Sequence, residues 1–195
     1  MVSGMMETQY APPPTIDRTM FHATIADCEA LAALAAVTFA DTFGHLYLAE
    51  DLASHLASSC SADYFRRALA KGDSLLMHHA NGELIAYAKI GGVEVPVTPT
   101  HAVGSQGLHR LYIRRDHQRR GLGHALMQYI LTLPRVVTAP AIYLGVWEEN
   151  APALALYRRY GFTPVGEHVF MVGHHPDRDI IMMRAQLVDK SVHGM

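Results

Sequence analysis

The junction between a short apolar strand and an amphipathic helix constrains this chain more than any other feature. Leu108 to Ile113 has the composition of a strand, and Gly121 to Leu133 repeats apolar residues at helical spacing. The loop between them ends in Gln118-Arg119-Arg120-Gly121-Leu122-Gly123. The first turn of a helix has backbone N–H groups without partners, and glycines allow an anion to approach them closely. The helix dipole and the arginines add favourable charge, so the junction predicts a phosphate-binding loop.

Spacing separates this loop from two other kinds of phosphate-binding loop. A dinucleotide fingerprint requires a third glycine at position 126, where this chain has Leu126. A P-loop requires Gly-Lys followed by Ser or Thr, and that tripeptide does not occur in the sequence. What remains is the pattern Gln/Arg-x-x-Gly-x-Gly/Ala directly after a strand.

Length and hydropathy favour one compact domain. The chain has 195 residues, of which 50% are hydrophobic, enough for a single core. We expect a flexible tail over residues 1–18, one domain over 19–187 and a short tail over 188–195. The longest apolar stretches fall short of the roughly 20 residues that span a bilayer. The N-terminus also lacks the basic start and apolar block of a signal peptide, so we expect a cytoplasmic protein without a membrane partner.

Charge and cysteine content exclude further classes. A net charge of −2 with a pI near 6.7 argues against a nucleic-acid partner, although arginines crowd around the glycine loop. Cys28 and Cys60 do not form a Cys-x-x-Cys pair, so we expect both to be reduced. The pairs His78-His79 and His174-His175 would point to opposite faces of a strand and lack partners at fixed spacing. The sequence therefore predicts no metal site.

The first half of the chain is predicted to be mostly helical. Met20 to Ala23 is typical of a short strand, and Thr24 with Asp27 resembles a helix-start capping arrangement. Apolar spacing then predicts helices to about Phe43, around Leu52 to Leu56 and around Phe65 to Leu69. Asn81-Gly82 between two apolar runs predicts a hairpin of strands Ser74 to His79 and Glu83 to Ile90.

The second half is predicted to be a β-α-β-α run followed by a hairpin. Gly91 to Gly107 is interpreted as a long loop. The strand and helix around the glycine loop precede a strand Ala141 to Val146 and a helix Ala151 to Tyr160. Val165 to Val172 and Asp179 to Ala185 form the hairpin, connected by Gly173 to Arg178. This order predicts an α/β (α+β) fold with a parallel crossover.

Two blocks together resemble the GNAT superfamily of N-acetyltransferases. One is the glycine loop, which resembles that superfamily's acetyl-CoA pyrophosphate loop. The other is Asn150-Ala151-Pro152-Ala153-Leu154-Ala155-Leu156-Tyr157 followed by Gly161-Phe162. The resemblance implies a mixed, mostly antiparallel central sheet flanked by helices. It also implies transfer of an acetyl group from acetyl-CoA to an amine, with no metal cofactor.

A narrower resemblance points to the bacterial PaiA-type branch, which is associated with spermine and spermidine acetylation. It rests on Thr42-Phe43-Gly44-His45-Leu46-Tyr47, on Val169-Phe170-Met171-Val172-Gly173 and on Asp179-Ile180-Ile181-Met182. It implies a polyamine as substrate, with another small amine or a peptide amine as open alternatives, and the protein could form a homodimer.

The resemblance also implies site residues. Tyr157 is marked as proton donor to the departing thiolate and as a cofactor contact. The remaining cofactor-binding positions are Leu111, Tyr112, Ile113, Gln118, Arg119, Arg120, Gly121, Leu122, Gly123, His124, Asn150 and Ala153.

The base and the acceptor contacts are less defined. Many relatives have a glutamate at the start of the strand before the loop, where this chain has Gly107. His109, Glu148 and Glu149 are alternatives by position, and Asp41, Glu50 and Asp51 are candidate carboxylates for a polyamine path. An acyl-CoA-binding sensor without turnover and a nucleic-acid binder using the arginines are the competing functions.

Overall fold

A computed structural model of the protein describes residues 20–186. The expected tails, 1–18 and 188–195, lie outside the described residues, as do 19 and 187, the first and last residues of the expected domain. Seven strands form one sheet in the order β1-β2-β3-β4-β5-β7-β6. Only β4 and β5 run parallel, and all other neighbours are antiparallel. The strands are β1 Met20–His22, β2 Ser74–Ala80, β3 Glu83–Gly91, β4 Gln106–Ile113, β5 Ala141–Trp147, β6 Thr163–Val172 and β7 His175–Ala185.

Seven α-helices cover the two faces of the sheet. They are α1 Cys28–Phe43, α2 Ala49–Ser59, α3 Ala62–Ala70, α4 Pro99–Ala102, α5 Leu122–Ile130, α6 Pro134–Val137 and α7 Ala151–Arg159. Helices α1 and α3 pack on one face around Leu31, Phe65 and Tyr87. Helices α5 and α7 pack on the other face around Leu126, Leu144 and Tyr157. The middle strands β2 to β5 therefore lie between two layers of helices, whereas the edge strands β1 and β6 are mostly exposed.

Two local sequence signals form as expected. The Asp27 carboxylate accepts hydrogen bonds from the backbone N–H and the hydroxyl of Thr24, both at 2.8 Å, and this begins the turn that leads into α1. Asn81 and Gly82 have φ angles of 52° and 81°, which a two-residue hairpin turn requires.

Cys28 and Cys60 are buried and free, as predicted. No helix within residues 20–186 is long and apolar enough to cross a membrane.

The pairing of β4 with β5 is unusually short. Only Gln106 and Gly107 pair with Ile142 and Tyr143, although β4 continues to Ile113 and β5 to Trp147. Strand β4 also has a bulge against β3, because Lys89 pairs with Arg110 and Ile90 with Leu108, which leaves His109 as the extra residue. Beyond Gly107 the two strands therefore diverge and open a gap in the middle of the sheet.

Three predicted boundaries are wrong. Helix α5 ends at Ile130 and not at Leu133, because Leu133 precedes Pro134 and is extended, with ψ of 133°. The expected loop from Gly91 to Gly107 contains α4 and the first residues of β4. The final hairpin turns over Gly173-His174, and His175 to Arg178 belong to β7, because they pair with the end of β6 up to Val172.

Candidate active site

The glycine loop leaves a set of backbone N–H groups open at the start of α5. Gly121 precedes the helix with φ of 83°, and Arg119 has φ of 59°. No side chain caps the helix. Within residues 20–186 the N–H groups of Leu122, Gly123 and His124 have no hydrogen-bond partner, and the first bond of the helix is that of Ala125 to the Gly121 carbonyl. This arrangement fits an anion such as a diphosphate.

The surroundings of Gly121 provide room for a ligand. A side chain at this position would meet no atom within 4 Å, so the positive φ, and not crowding, explains the glycine. Gln118 fixes the loop, because its Nε2 donates to the Ile113 carbonyl at 3.0 Å. The loop is therefore held directly against the end of β4.

The other loop residues hold α5 against α7. A Cβ on Gly123 would lie 3.3 Å from the Leu156 side chain, so this glycine permits close packing of the two helices. The Tyr160 hydroxyl donates to the His124 carbonyl at 3.0 Å. Leu122 is buried and Ala153 packs against the same core. Thus Leu122, Gly123 and His124 offer the ligand their backbones.

The arginines do not form one cationic surface. Arg114 bonds Glu83 and Asp116, both at 2.8 Å. Arg110 lies on the opposite face of the sheet, with its guanidinium 4.3 Å from the centre of the Tyr64 ring. Arg119 and Arg120 are exposed at the loop. Of these arginines, Arg119 and Arg120 are therefore the ones available at the predicted phosphate loop, and fewer positive charges are free to bind nucleic acid than the sequence suggests.

The second block borders the same gap. The Asn150 side chain caps α7 by accepting from the Ala153 N–H at 3.2 Å. Tyr157 on that helix is buried and packs against Phe162, with ring centroids 5.9 Å apart. Burial, with a contribution from Tyr112, raises the pKa of Tyr157 above its ordinary value. Tyr157 therefore stays protonated and available as a hydrogen-bond donor.

Gly107 has no room for the glutamate found in many relatives. A Cβ at this position would lie 2.8 Å from the Gly92 carbonyl oxygen and 2.8 Å from Cε1 of His109. The bulged His109 ring fills the space, and a longer side chain would require the backbone to move. The base must therefore come from another element.

The bases considered from the sequence are engaged elsewhere or exposed. His109 lies beside Glu94 at 3.2 Å, near the buried Lys89–Asp73 ion pair, and burial with Lys89 lowers the pKa of His109. Glu148 bonds Arg178 at 2.7 Å, and Glu149 is exposed. We find no feature of the site that requires any of these three.

The three carboxylates expected along a polyamine path do not all lie together. Asp51 is buried and accepts from the backbone N–H of His174 at 2.8 Å, so it fixes α2 to the β6–β7 turn. Glu50 is exposed in the first turn of α2. Asp41 lines a different cleft, beside Arg114 and Asp116.

Near Asp51, which was predicted on the acceptor side, the structure brings together residues that the sequence analysis did not mark as site residues. The Tyr47 hydroxyl donates to the Asp177 carboxylate, and Asp179 follows on the same face of β7. Tyr112 of β4 lies close enough to Asp179 to interact electrostatically, and it interacts in the same way with Tyr157. An adjoining cleft of about 490 Å³ is lined by His45, Leu46, Tyr47, Leu48, Asp51, His174, His175 and Pro176. The alternation of Asp177 and Asp179 in a strand was the available signal.

Comparisons with known proteins agree with this geometry. Residues 37–162 match the sequence profile described as the acetyltransferase (GNAT) family. The chain is 32% identical, over 82% of its length and 92% of the relative's, to an uncharacterized N-acetyltransferase in the pepI 3′ region of Lactobacillus delbrueckii subsp. lactis. It is 30% identical over 87 residues to a spermine/spermidine N(1)-acetyltransferase of Bacillus subtilis, covering 44% of this chain and 57% of that protein.

A similar fold is found among solved structures. The PaiA N-acetyltransferase of Thermoplasma acidophilum, crystallised in complex with coenzyme A, superposes with a TM-score of 0.68 and 17% identity. The match covers 86% of this chain and 98% of that one. The predicted mixed sheet flanked by helices is confirmed.

Proposed function

Because this chain belongs to the GNAT family of acetyltransferases, with acetyl-CoA as its co-substrate, we propose that it acetylates the primary amine of a small molecule. The amine attacks directly, in a complex that holds both substrates at once. Holding the two reactants together lowers the entropic part of the barrier. The observation that carries the proposal is the row of unpartnered N–H groups at Gly121, which opens beside the gap between β4 and β5.

The loop and the gap together would position the coenzyme. The diphosphate fits the N–H groups of Leu122, Gly123 and His124, with Arg119 and Arg120 adding charge-assisted contacts. The pantetheine arm then follows the edge of β4 formed by Leu111, Tyr112 and Ile113, which has no β5 partner. Acetyl-CoA supplies an activated thioester. A strand N–H that is free of the ladder supplies a donor for the oxyanion that forms as the amine attacks.

Tyr157 would act on the departing sulfur as a hydrogen-bond donor. A free tyrosine has a pKa near ~10 and a thiol near ~8.5, so full proton transfer in water is uphill by roughly 2 kcal/mol. Burial raises the pKa of Tyr157 further, which makes complete transfer less favourable. A hydrogen bond to the developing charge needs no such transfer.

A polyamine or a similar small cationic amine is the acceptor that we favour. The partial match to the Bacillus subtilis spermine/spermidine N(1)-acetyltransferase supports this choice. The carboxylates of Asp177 and Asp179 beside the cleft at Tyr47 support it independently, since a cationic amine is attracted by buried negative charge.

An amine panel tests the proposal. We expect release of CoA thiol, together with a product heavier by one acetyl group, from spermidine, spermine or a short diamine. A peptide with a free N-terminal amine serves as the comparison substrate. Tight CoA binding without thiol release for any amine would indicate an acyl-CoA sensor, and acetylation of the peptide alone would contradict the small-amine acceptor.

A further inference from the structure

Asp179 lies at the edge of the gap in the sheet. It is paired with Trp147 of β5, and its carboxylate extends over Gly145, two residues beyond the last contact between β5 and β4. A Cβ on Gly145 would be only 3.2 Å from Asp179 Oδ2. The absence of a side chain at position 145 therefore makes room for this carboxylate beside the diverging strands.

The two aspartates of β7 differ in their partners. Asp177 is bonded to the Tyr47 hydroxyl and has His175 Nε2 at 3.4 Å from its other oxygen. The Asp179 side chain is 14% exposed, and its nearest basic group is His168 Nε2 at 3.9 Å, which is beyond hydrogen-bond distance. Within residues 20–186 no donor is bonded to the Asp179 carboxylate. His168 Nε2 is itself buried without a hydrogen-bond partner.

Asp177 therefore has a structural role, whereas the carboxylate of Asp179 is free to bind a substrate. Asp177 holds the connection between α1 and α2 against the sheet through Tyr47. Asp179 has no comparable structural bond, although burying a carboxylate without donors is costly. Such a group in a cleft is a candidate for function.

We propose that Asp179 is the general base that removes a proton from the attacking amine, and that Asp177 is the positioning residue that holds the acceptor side closed around it. This inference rests on the proposed function, since it concerns the acceptor side of the same reaction. Asp179 takes the place of the glutamate that Gly107 cannot accommodate. None of His109, Glu148 and Glu149 is needed for this role.

In the proposed reaction, the acetyl group passes from the sulfur of CoA to the amine nitrogen. The amine nitrogen forms a bond to the thioester carbon while one of its protons passes to the Asp179 carboxylate. The carbon–sulfur bond then breaks, and its electron pair goes to the sulfur of CoA, which accepts the Tyr157 hydrogen bond and afterwards a proton from solvent. The carboxylic acid of Asp179 then returns its proton to solvent.

The electrostatic surroundings suit a base that works near neutral pH. Burial, assisted by the negative charge of Asp177, raises the pKa of Asp179 to about 6. The other titratable groups that face it are Tyr112 from β4, Tyr47 from the α1–α2 connection and His168 from β6. Strand β5 presents Gly145 and Trp147, which do not titrate. Below about pH 6 Asp179 is protonated and cannot accept a proton, so activity must fall there.

Asp179→Asn is the direct test, with Glu167→Gln as a matched control on the same hairpin. Glu167 is exposed and bonded to Arg178, so its loss removes a carboxylate without touching the cleft. We expect Asp179→Asn to lower kcat with an accepted amine by about 100-fold, while the Kd for CoA measured by calorimetry changes less than about twofold. We expect Glu167→Gln to behave like the wild type, and Asp179→Glu to recover part of the lost rate.

Asp177→Asn gives a second test, the pH dependence of kcat/KM, which would not change if Asp179 had only a structural role. Removing the neighbouring negative charge lowers the pKa of Asp179, so the acidic limb of kcat/KM should shift to lower pH. The ratio of wild-type to variant rates at each pH cancels the ionisation of the amine itself. If Asp179→Asn also loses CoA affinity, the pH profile of Asp177→Asn decides the question. An acidic limb that moves to lower pH supports Asp179 as the base, and an acidic limb that does not move overturns that assignment.

The experiments distinguish failure of the base assignment from failure of the proposed function. A wild type that acetylates amines while Asp179→Asn stays within about threefold of its rate overturns the base and leaves the proposed function intact. A wild type that binds CoA but acetylates no amine overturns both.

Discussion

Tyr157 is a buried tyrosine of the core for which we propose a catalytic role. The ring packs against Phe162 in the core, and its pKa is raised by burial and by Tyr112. The spacing of Ala153, Leu156, Tyr157 and Tyr160 also fits a purely structural tyrosine. Only the kinetics of a variant can separate the two roles.

We expect Tyr157→Phe to lower kcat by about 10- to 100-fold and to change the Kd for CoA by less than about twofold. Phenylalanine keeps the packing of the ring and removes only the hydrogen-bond donor. The measurement is steady-state kinetics beside calorimetric CoA binding. Tyr129→Phe on α5 is the control, because it removes a hydroxyl that faces His22 of the edge strand β1. Equal losses of turnover and CoA affinity would assign Tyr157 to packing.

Individual site residues are harder to predict from the sequence than the fold is. The glycine loop and Tyr157 could be named because they lie in local blocks with fixed spacing. Asp179 could not be named, because its proposed role depends on its burial, on the charge of Asp177 and on the lack of a side chain at Gly145, which leaves the space that the carboxylate occupies. These three conditions arise only when β5 and β7 pair.

At the scale of elements, the short helix α5 and the loop before it form the proposed coenzyme site. Its sequence predicted both the element and the open N–H groups, because glycine at positive φ and a helix start are local properties. The end of the same helix was predicted too late, at Leu133, since the apolar spacing continues past the point where Pro134 stops the helix. Local signals therefore located the site better than they located the boundaries.

Gly121 and Gly72 give a matched pair of variants. Both have φ of 83°, and a Cβ at either would meet no protein atom within 4 Å, so alanine imposes a similar backbone strain of about 1–2 kcal/mol at each. We expect Gly121→Ala to raise the Kd for CoA by about 10-fold or more and Gly72→Ala to leave it unchanged. Calorimetry measures both constants. Similar CoA affinity in the two variants would contradict the assignment of the phosphate loop.

At the scale of the whole molecule, the helical first half and the C-terminal hairpin are joined on one side of the sheet. Tyr47 bonds Asp177, and Asp51 bonds the turn at His174. The hydrogen bonds from His174 lower the pKa of Asp51. A carboxylate whose pKa is lowered by folding stabilises the protein above its ordinary pKa of 3.8, and this stabilisation is lost as the pH falls through the lowered value.

We expect Asp51→Ala to lower the melting temperature by roughly 2 to 6 °C at pH 7, because it leaves the His174 N–H without its partner. Thermal denaturation followed by circular dichroism measures the change, and the difference from the wild type should shrink as the pH falls below the ordinary carboxyl pKa of 3.8. Glu50→Ala, at the exposed neighbouring position, should have little effect. An equal loss in both variants would place the effect in the first turn of α2 and not in the contact with the hairpin.

The divergence of β4 from β5 has a mechanical consequence. Within residues 20–186, two residue pairs are all that join the strands β1 to β4 to the strands β5 to β7, so the sheet is weakest along the line where we propose that the coenzyme binds. A pantetheine arm lying there would replace the missing neighbours and stiffen the molecule across its middle. Rigidity would then rise when the coenzyme arrives and fall when it departs, so that each round of catalysis is also a cycle of tightening and loosening.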